Sequence, residues 1–360
     1  MMQYDDTLLF SPYALEREAK KALMLQRLSE LTEHHYCHCQ PYHRILDALN
    51  ASEFCYQSIE DIPFIPVSLF KEMDLASVPQ HEIVKTMTSS GTTGQRVSKI
   101  FLDKNTAANQ QKTLVKIVTD YLGAARLPLL IIDSPSIMKD RRLFSARGAG
   151  ILGFSIFGTD RTYALDDTMA LDLPTIRNFL KKHSGKPILL FGFTFMIWRH
   201  FYQQLIELDE TLDLSAGILI HGGGWKKLQS EAVSSADFVA KLSQVCGIQR
   251  VHEYYGMVEQ TGCIYMQCEA GHLHASIFSD IIIRDHRDFS VCNLGQPGMI
   301  QVLSLIPESY PGHSLLTEDK GVLLGEDDCP CGRFGKYFAV LGRIENAELR
   351  GCSDTYAAQF

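Results

Sequence analysis

The sequence of 360 residues has no long apolar run, no cluster of lysines and arginines, no internal repeat and no low-complexity tract. Its longest apolar stretches, such as 127–132 and 188–193, fall far short of the ~20 residues that a bilayer core demands, so no membrane-spanning helix is expected. Lys and Arg number 34 against 42 Asp and Glu, a net charge of −8; without a basic patch, nucleic acid is not an expected partner. The opening Met-Met-Gln-Tyr-Asp-Asp lacks the basic-then-apolar pattern of a secretion signal. A cytoplasmic location is therefore expected. There the ten cysteines read as reduced thiols, metal ligands or a nucleophile rather than a disulfide frame.

What is present is an ordinary globular composition, 46% apolar and 21% charged. Residues 12–50 carry apolar side chains near helical spacing, with a second helix over 42–49. Between them, His34-His35-Tyr36-Cys37-His38-Cys39, with His43 nearby, crowds its ligands into one segment without the separated spacing of structural zinc; a helix junction with buried cysteine is expected. Residues 61–70 form a proline-set connector leading to a short helix. Strands are expected at 81–86, 97–102, 129–133, 186–193, 216–220 and 249–253. Helices are expected at 104–122, 194–208 and 237–245. Arg141, Arg142 and glycines 148, 150, 153 and 158 read as a flexible, partly basic region, either a channel lining or a surface loop. From residue 263 on, short strands and turns dominate.

Five groups of residues can carry chemistry. Thr88-Ser89-Ser90-Gly91-Thr92-Thr93-Gly94 joins two strands with five hydroxyls and two glycines, which suits the acceptor oxygens of a polyphosphate; it lacks the Gly-Lys-Ser/Thr of a Walker loop. His221-Gly222-Gly223-Gly224 follows a strand. It matches the oxyanion loop of some hydrolases, but no Gly-x-Ser-x-Gly elbow accompanies it, and bare backbone for a flat base or sugar is the better reading. In Glu253-Tyr254-Tyr255-Gly256-Met257-Val258-Glu259, the tyrosines offer a stacking face for adenine and Glu259 a hard oxygen for Mg²⁺. Cys268, His274, Cys329 and Cys331, with His272 or Cys263 as replacements, supply soft ligands from two turns and suit a structural Zn²⁺; buried free thiols are the alternative. Near the end, Cys352 stands beside Arg350 and Gly351, where a guanidinium favours the thiolate.

In their order along the chain, Thr-Ser-Ser-Gly-Thr-Thr-Gly, Tyr-Gly-Met-Val-Glu, Leu-Thr-Glu-Asp and Leu-Gly-Arg resemble the motifs of acyl-adenylate-forming enzymes. His-Gly-Gly-Gly-Trp-Lys-Lys, Tyr-Tyr-Gly-Met-Val-Glu-Gln and Arg-Gly-Cys-Ser-Asp are similar to patterns of the Lux-type acyl-protein synthetases, the synthetases of a bacterial fatty-acid reductase complex. The resemblance implies an α/β adenylate-forming N-terminal domain: a helical segment over 1–80, a nucleotide-binding core over 81–262, a β-rich subdomain over 263–341 and a tail over 342–360, without a full C-terminal domain. It implies ATP and Mg²⁺ as cofactors. The loop at 88–94 would bind phosphates, Gly222–Gly224 and Tyr254 or Tyr255 adenine, Asp319 with Arg343 the ribose, and Glu259 the Mg²⁺. A fatty acid would become acyl-AMP, then a thioester on Cys352 for delivery to an acyl reductase. The sequence departs from the wider superfamily at Arg96-Val97, Val258 and Glu318. It also lacks the usual C-terminal-domain lysine, for which Lys226, Lys227 and Lys336 are candidates. Phe191, Phe193, Phe195 and Trp198 line an acyl pocket or belong to the core. The alternatives are an acyl- or aryl-CoA ligase of the phenylacetate type, which shares Cys-Pro-Cys-Gly-Arg, and a zinc-stapled nucleotide-binding partner protein without turnover.

Overall fold

The computed structural model describes residues 4–89, 96–139 and 146–344. The chain divides into two compact units: Tyr121–Tyr255 with Met266–Gly271, and the remainder, which joins both ends of the chain to Gly256–Tyr265.

The Tyr121–Tyr255 unit is an α/β layer structure. Its parallel sheet runs in the spatial order Gly158–Tyr163, Leu127–Ile132, Ile188–Phe193, Gly217–Gly222, Arg250–Tyr255. Every residue of Ile188–Phe193 and Gly217–Gly222 is buried, as expected of central parallel strands covered on both faces by crossover helices. Those helices are Ala146–Phe154, Leu173–Lys182, Thr194–Glu207 and Ser235–Cys246. Asp172 caps Leu173–Lys182 by accepting from the Thr175 N–H at 3.0 Å. The Ser234 hydroxyl caps Ser235–Cys246, which starts this helix two residues ahead of the expected 237–245. Trp198, Phe201, Leu205, Phe238 and Leu242 fill the space between helices and sheet. The expected loop around the glycines is corrected: Gly148, Gly150 and Gly153 lie in the helix Ala146–Phe154, and Gly158 opens a strand. A Cβ on Gly150 would stand 2.8 Å from the Phe193 ring, so small residues here permit close helix–sheet packing. Arg141 and Arg142 lie outside the described residues.

The other unit is built on an antiparallel sheet. Ser279–Arg284, Pro297–Ser304, Ser314–Glu326, Lys336–Arg343 and Leu273–His274 pair in that order. Ile65-Pro66 adds a short parallel pair beside Leu315-Leu316. The helix Arg17–His38 lies against this unit through buried polar groups: the Lys20 ammonium donates to the Ala275 carbonyl at 3.1 Å, and His313 Nε2 meets the Thr32 hydroxyl at 3.0 Å. Cys39 is the buried residue between Arg17–His38 and Gln40–Ala48, so the histidine-rich segment is a helix junction; His34 and His38 stack at 4.5 Å and Cys37 is exposed. The hairpin Lys85–Thr88/Lys99–Leu102 belongs to this unit. The strand expected at 81–86 is corrected: Gln80–Glu82 is a single 3-10 turn, and pairing begins only at Lys85. Among the described residues, no helix is long and apolar enough to cross a membrane.

Candidate functional site

Of the hydroxyl loop, Thr88 and Ser89 are described; Ser90, Gly91, Thr92, Thr93 and Gly94 lie outside the described residues. The base of the loop is tightly set. Thr88 pairs with Lys99 at the end of the hairpin, the Ser89 N–H donates to the Ser98 carbonyl at 3.2 Å, and the Ser98 N–H donates to the Ser89 hydroxyl at 2.9 Å. Arg96, and Lys99 three residues on, turn outward to Glu72 at 2.6 Å and Asp74 at 3.0 Å.

In the same unit, Glu259 sits on a single 3-10 turn, Val258–Gln260. Its backbone carbonyl accepts from the Tyr310 hydroxyl at 2.8 Å. The Gln260 amide donates to the carbonyls of Gly312 and Val302 at 2.8 and 3.2 Å. The carboxyl is thus held on a rigid support and is itself buried. Burial raises its pKa; the Ser98 hydroxyl and the Lys71 ammonium oppose that rise and Glu318 adds to it. The Ser98 hydroxyl stands by the carboxyl without an ideally aligned hydrogen bond. A buried carboxylate beside a hydroxyl fits a hard divalent cation, which would offset the charge that burial disfavours. Sequence reasoning missed Ser98 and Lys71. The signal for Ser98 was its place opposite Ser89 across the hairpin; Lys71, on a separate short helix, left none.

Asp319 and Arg343 are cross-strand partners, with Arg343 Nε 3.7 Å from the carboxylate. The Thr317 hydroxyl sets the strand here: it donates to the Ile300 carbonyl at 2.8 Å and accepts from the Asp319 N–H at 3.1 Å. Lys336, a candidate cation, is instead buried with its ammonium 3.4 Å from Asp280 and donating to the Ile281 carbonyl at 3.0 Å. It is committed to the fold. Nothing is described for the side chains of Lys226 and Lys227.

The Tyr121–Tyr255 unit brings the glycine triplet and Tyr254 together. Phe193, Gly222 and Tyr254 stand in register at the carboxyl ends of three parallel strands, where ligands of open α/β sheets bind. A Cβ on Gly222 would lie 2.7 Å from the Tyr254 ring, so glycine lets that ring approach the backbone. Gly223 and Gly224 take positive φ, 80° and 61°, which turns the chain sharply off the strand end. The Thr194 hydroxyl meets His221 Nδ1 at 3.0 Å and the Gly222 carbonyl at 3.2 Å. Burial pushes the His221 imidazole down to about 3, so it is neutral at physiological pH. It is a packing residue rather than a base. Beside it, burial raises the Glu253 carboxyl to about 7. Trp198 belongs to the core between helix and sheet, while Phe191 stacks on Phe154 at 4.4 Å and Phe154 lies 5.1 Å from Tyr254. Tyr255 ends the same strand, and Gly256 opens the return to the other unit.

Of the expected zinc ligands, the donor atoms of His274, Cys329 and Cys331 lie within 4.8 Å of one another. Cys268 is buried, at the start of a turn closed by the Gly271 N–H on its carbonyl at 2.9 Å. Cys263 is instead buried beside the Ser304 hydroxyl at 3.2 Å. Cys352 lies outside the described residues.

The fold is that of the adenylate-forming ligases: 2-hydroxyisobutyryl-CoA ligase with 2-HIB-AMP and CoA superposes with a TM-score of 0.67 at 16% identity, over 93% of this chain and 77% of that one. In sequence, the chain matches the long-chain-fatty-acid–luciferin-component ligases of Vibrio harveyi, 22% identical over 99% of this chain and 93% of that protein, and of Aliivibrio fischeri, 22% identical over 97% and 92%. The phenylacetate-coenzyme A ligase of Thermus thermophilus matches 31% of this chain and 25% of its own length at 30% identity. The chain belongs to the LuxE acyl-protein synthetase family, whose model matches residues 2–360, and is accordingly a ligase.

Proposed function

We propose that this ligase activates a long-chain fatty acid with ATP and takes the acyl group onto its own Cys352 for delivery to an acyl reductase. The carboxylate oxygen attacks the α-phosphorus, the bond to the β-phosphate oxygen breaks, and pyrophosphate leaves. The Cys352 thiol then loses its proton and its sulfur attacks the acyl carbonyl, with AMP leaving. The first step brings two anions together, so its barrier falls where fixed dipoles and cations face the phosphate. Ser89 and the hydroxyls that follow it would donate to phosphate oxygens, and Glu259 would hold Mg²⁺, which supplies Lewis-acid stabilisation of the phosphoryl oxygens. Gly222–Gly224 with Tyr254 or Tyr255 would receive adenine, and Asp319 with Arg343 the ribose.

The observation that carries this reading is the buried Glu259 carboxyl, held rigidly by Tyr310 and Gln260 next to Ser98 at the base of the hydroxyl loop. The test is intact-mass analysis after incubation with Mg·ATP and fatty acids of graded length. An acyl adduct, lost with hydroxylamine and absent in Cys352→Ala, supports the proposal; pyrophosphate release without an adduct removes the self-acylation step. The partial match to a phenylacetate-coenzyme A ligase favours a second reading, a CoA ligase, which predicts turnover only when CoA is present.

A further inference from the structure

We infer that the loop 327–335 and the strand Leu273–His274 form a structural zinc site, with His274, Cys329 and Cys331 as ligands. The donors come from two short stretches that the antiparallel unit locks against each other. His274 is in register with Tyr337 on the strand Lys336–Arg343, which the loop 327–335 enters directly. The loop is a tight closed turn. The Gly335 N–H donates to the Asp327 carboxylate at 2.6 Å, and the Gly332 N–H donates to the Cys329 carbonyl at 3.0 Å. Gly335 has φ of 94°, and a Cβ there would stand 2.7 Å from the Ala275 carbonyl oxygen, so only glycine closes the loop this near to the strand. Outside the loop, Arg333 Nε meets Asp120 at 3.0 Å and its guanidinium lies over the Tyr13 ring.

The spacing of the donors is that of a tetrahedral ion. Bonds of ~2.3 Å to sulfur and ~2.0 Å to nitrogen put sulfur about 3.5 Å from nitrogen and about 3.8 Å from a second sulfur. Cys331 Sγ lies 3.4 Å from His274 Nε2. Aliphatic packing does not need two thiols and an imidazole in one place with Cys329 and His274 buried, whereas a soft divalent cation does. Aromatic rings fix the orientation of the imidazole: His274 stacks on Tyr337 at 5.6 Å and meets the edge of Tyr13 at 6.0 Å. His272 also stacks on Tyr337, at 4.9 Å, with its Nδ1 3.3 Å from Cys329 Sγ. That geometry suits an N–H donor to a thiolate, an outer partner rather than a ligand.

The site is distinct from the nucleotide-binding residues, so it can be tested without ATP or fatty acid. The full chain, purified without chelators, is assayed for metal by mass spectrometry and for thiol-bound zinc by release with a mercurial in the presence of a colorimetric chelator. One zinc per chain is expected, lost in Cys329→Ser and Cys331→Ser and kept in Cys37→Ser and Cys55→Ser, whose parent thiols are exposed. Where a ligand variant fails to fold, the wild-type protein decides. Stripping zinc with a strong chelator should lower its melting temperature by several degrees, and adding back zinc alone should restore it. Cobalt(II) in place of zinc should give thiolate charge-transfer absorption. His272→Ala should retain the metal; loss of the metal in that variant overturns the place of His272 as an outer partner. Protein that contains no zinc, and with its thiols reduced takes up none at micromolar free metal, overturns the site.

Discussion

The unit Tyr121–Tyr255 and the unit made by the two ends of the chain bury their sheets with different chemistry. The first packs Leu190, Leu219, Phe201, Trp198 and Phe238 between parallel strands and helices. The second places Lys20, Lys336 and Asp280 in its interior, together with His35 and His313. Asp280 lies 3.9 Å from the Lys20 ammonium and 3.4 Å from that of Lys336, and burial lowers the Lys20 pKa. His35 is fully satisfied between the Ser77 hydroxyl and the Pro307 carbonyl, at 2.7 and 3.1 Å, and stacks on His313 at 4.9 Å. Apolar packing is indifferent to which neighbour fills the space, while each buried polar group demands a particular partner. The difference teaches that the sheet carrying Asp319 and Arg343 owes its register to specific pairs, and the sheet carrying the glycine triplet owes its stability to volume.

The sharpest way to break the comparison is Asp280→Ala. It strands two buried ammonium groups, and a loss of about 3–5 kcal/mol is expected in urea unfolding; a loss under about 1 kcal/mol would show that water already reaches the pair. In the other unit, Leu205→Ala should remove roughly 2–4 kcal/mol through its cavity, and hydrogen exchange should show faster opening within Tyr121–Tyr255.

Besides the buried Asp133, paired with Arg147 at 3.0 Å, the apolar unit carries an acid at Glu253, and here the sign is opposite to that of the histidines. Its carboxyl pKa rises from 4.5 unfolded to about 7 folded, so its contribution to stability is full below pH 4.5 and is lost as pH rises through about 7. Glu253→Gln should therefore stabilise the protein at pH 8 by about 1–3 kcal/mol and flatten its pH–melting curve on the alkaline side. His313, driven down to about 3 by burial, contributes stability that is present above pH 6.5 and is lost as pH falls toward 3. The smallest expected effect is Arg96→Ala: its ion pair with Glu72 is exposed, and the change in stability should stay below about 1 kcal/mol.

The parallel core was legible because its strands are short apolar runs punctuated by glycine and by helix caps. The helix expected over 104–122 appears as Lys104–Leu122, with Gly123 at φ 80° just beyond it. Local periodicity hides other features. The helix beginning at Thr194 contains a π turn over Ile197–Tyr202, which no spacing of apolar residues announces. The strand Ser314–Glu326 runs for 13 residues, but Glu318-Asp319-Lys320 interrupts its alternation and two register shifts bend its pairing, so the sequence suggests fragments. The neighbourhood of His274, Cys329 and Cys331 was visible as a Cys-x-Cys with a distant His, because soft side chains are few in kind. The pairing of His35 with His313 left no such trace, since the two come from distant parts of the chain. Glu259 was recognised by its motif, yet its support by Tyr310 and Gln260 is a tertiary fact.

The last described residue, Ile344, is pinned by its N–H to the Glu318 carbonyl at 3.0 Å, beside Asp319. Cys352 follows eight residues later, and eight extended residues reach at most about 28 Å. Covalent geometry alone thus sets an outer bound on how far the proposed acceptor sulfur can lie from Ile344, and an enzyme that collects its cargo must come to about that radius or nearer.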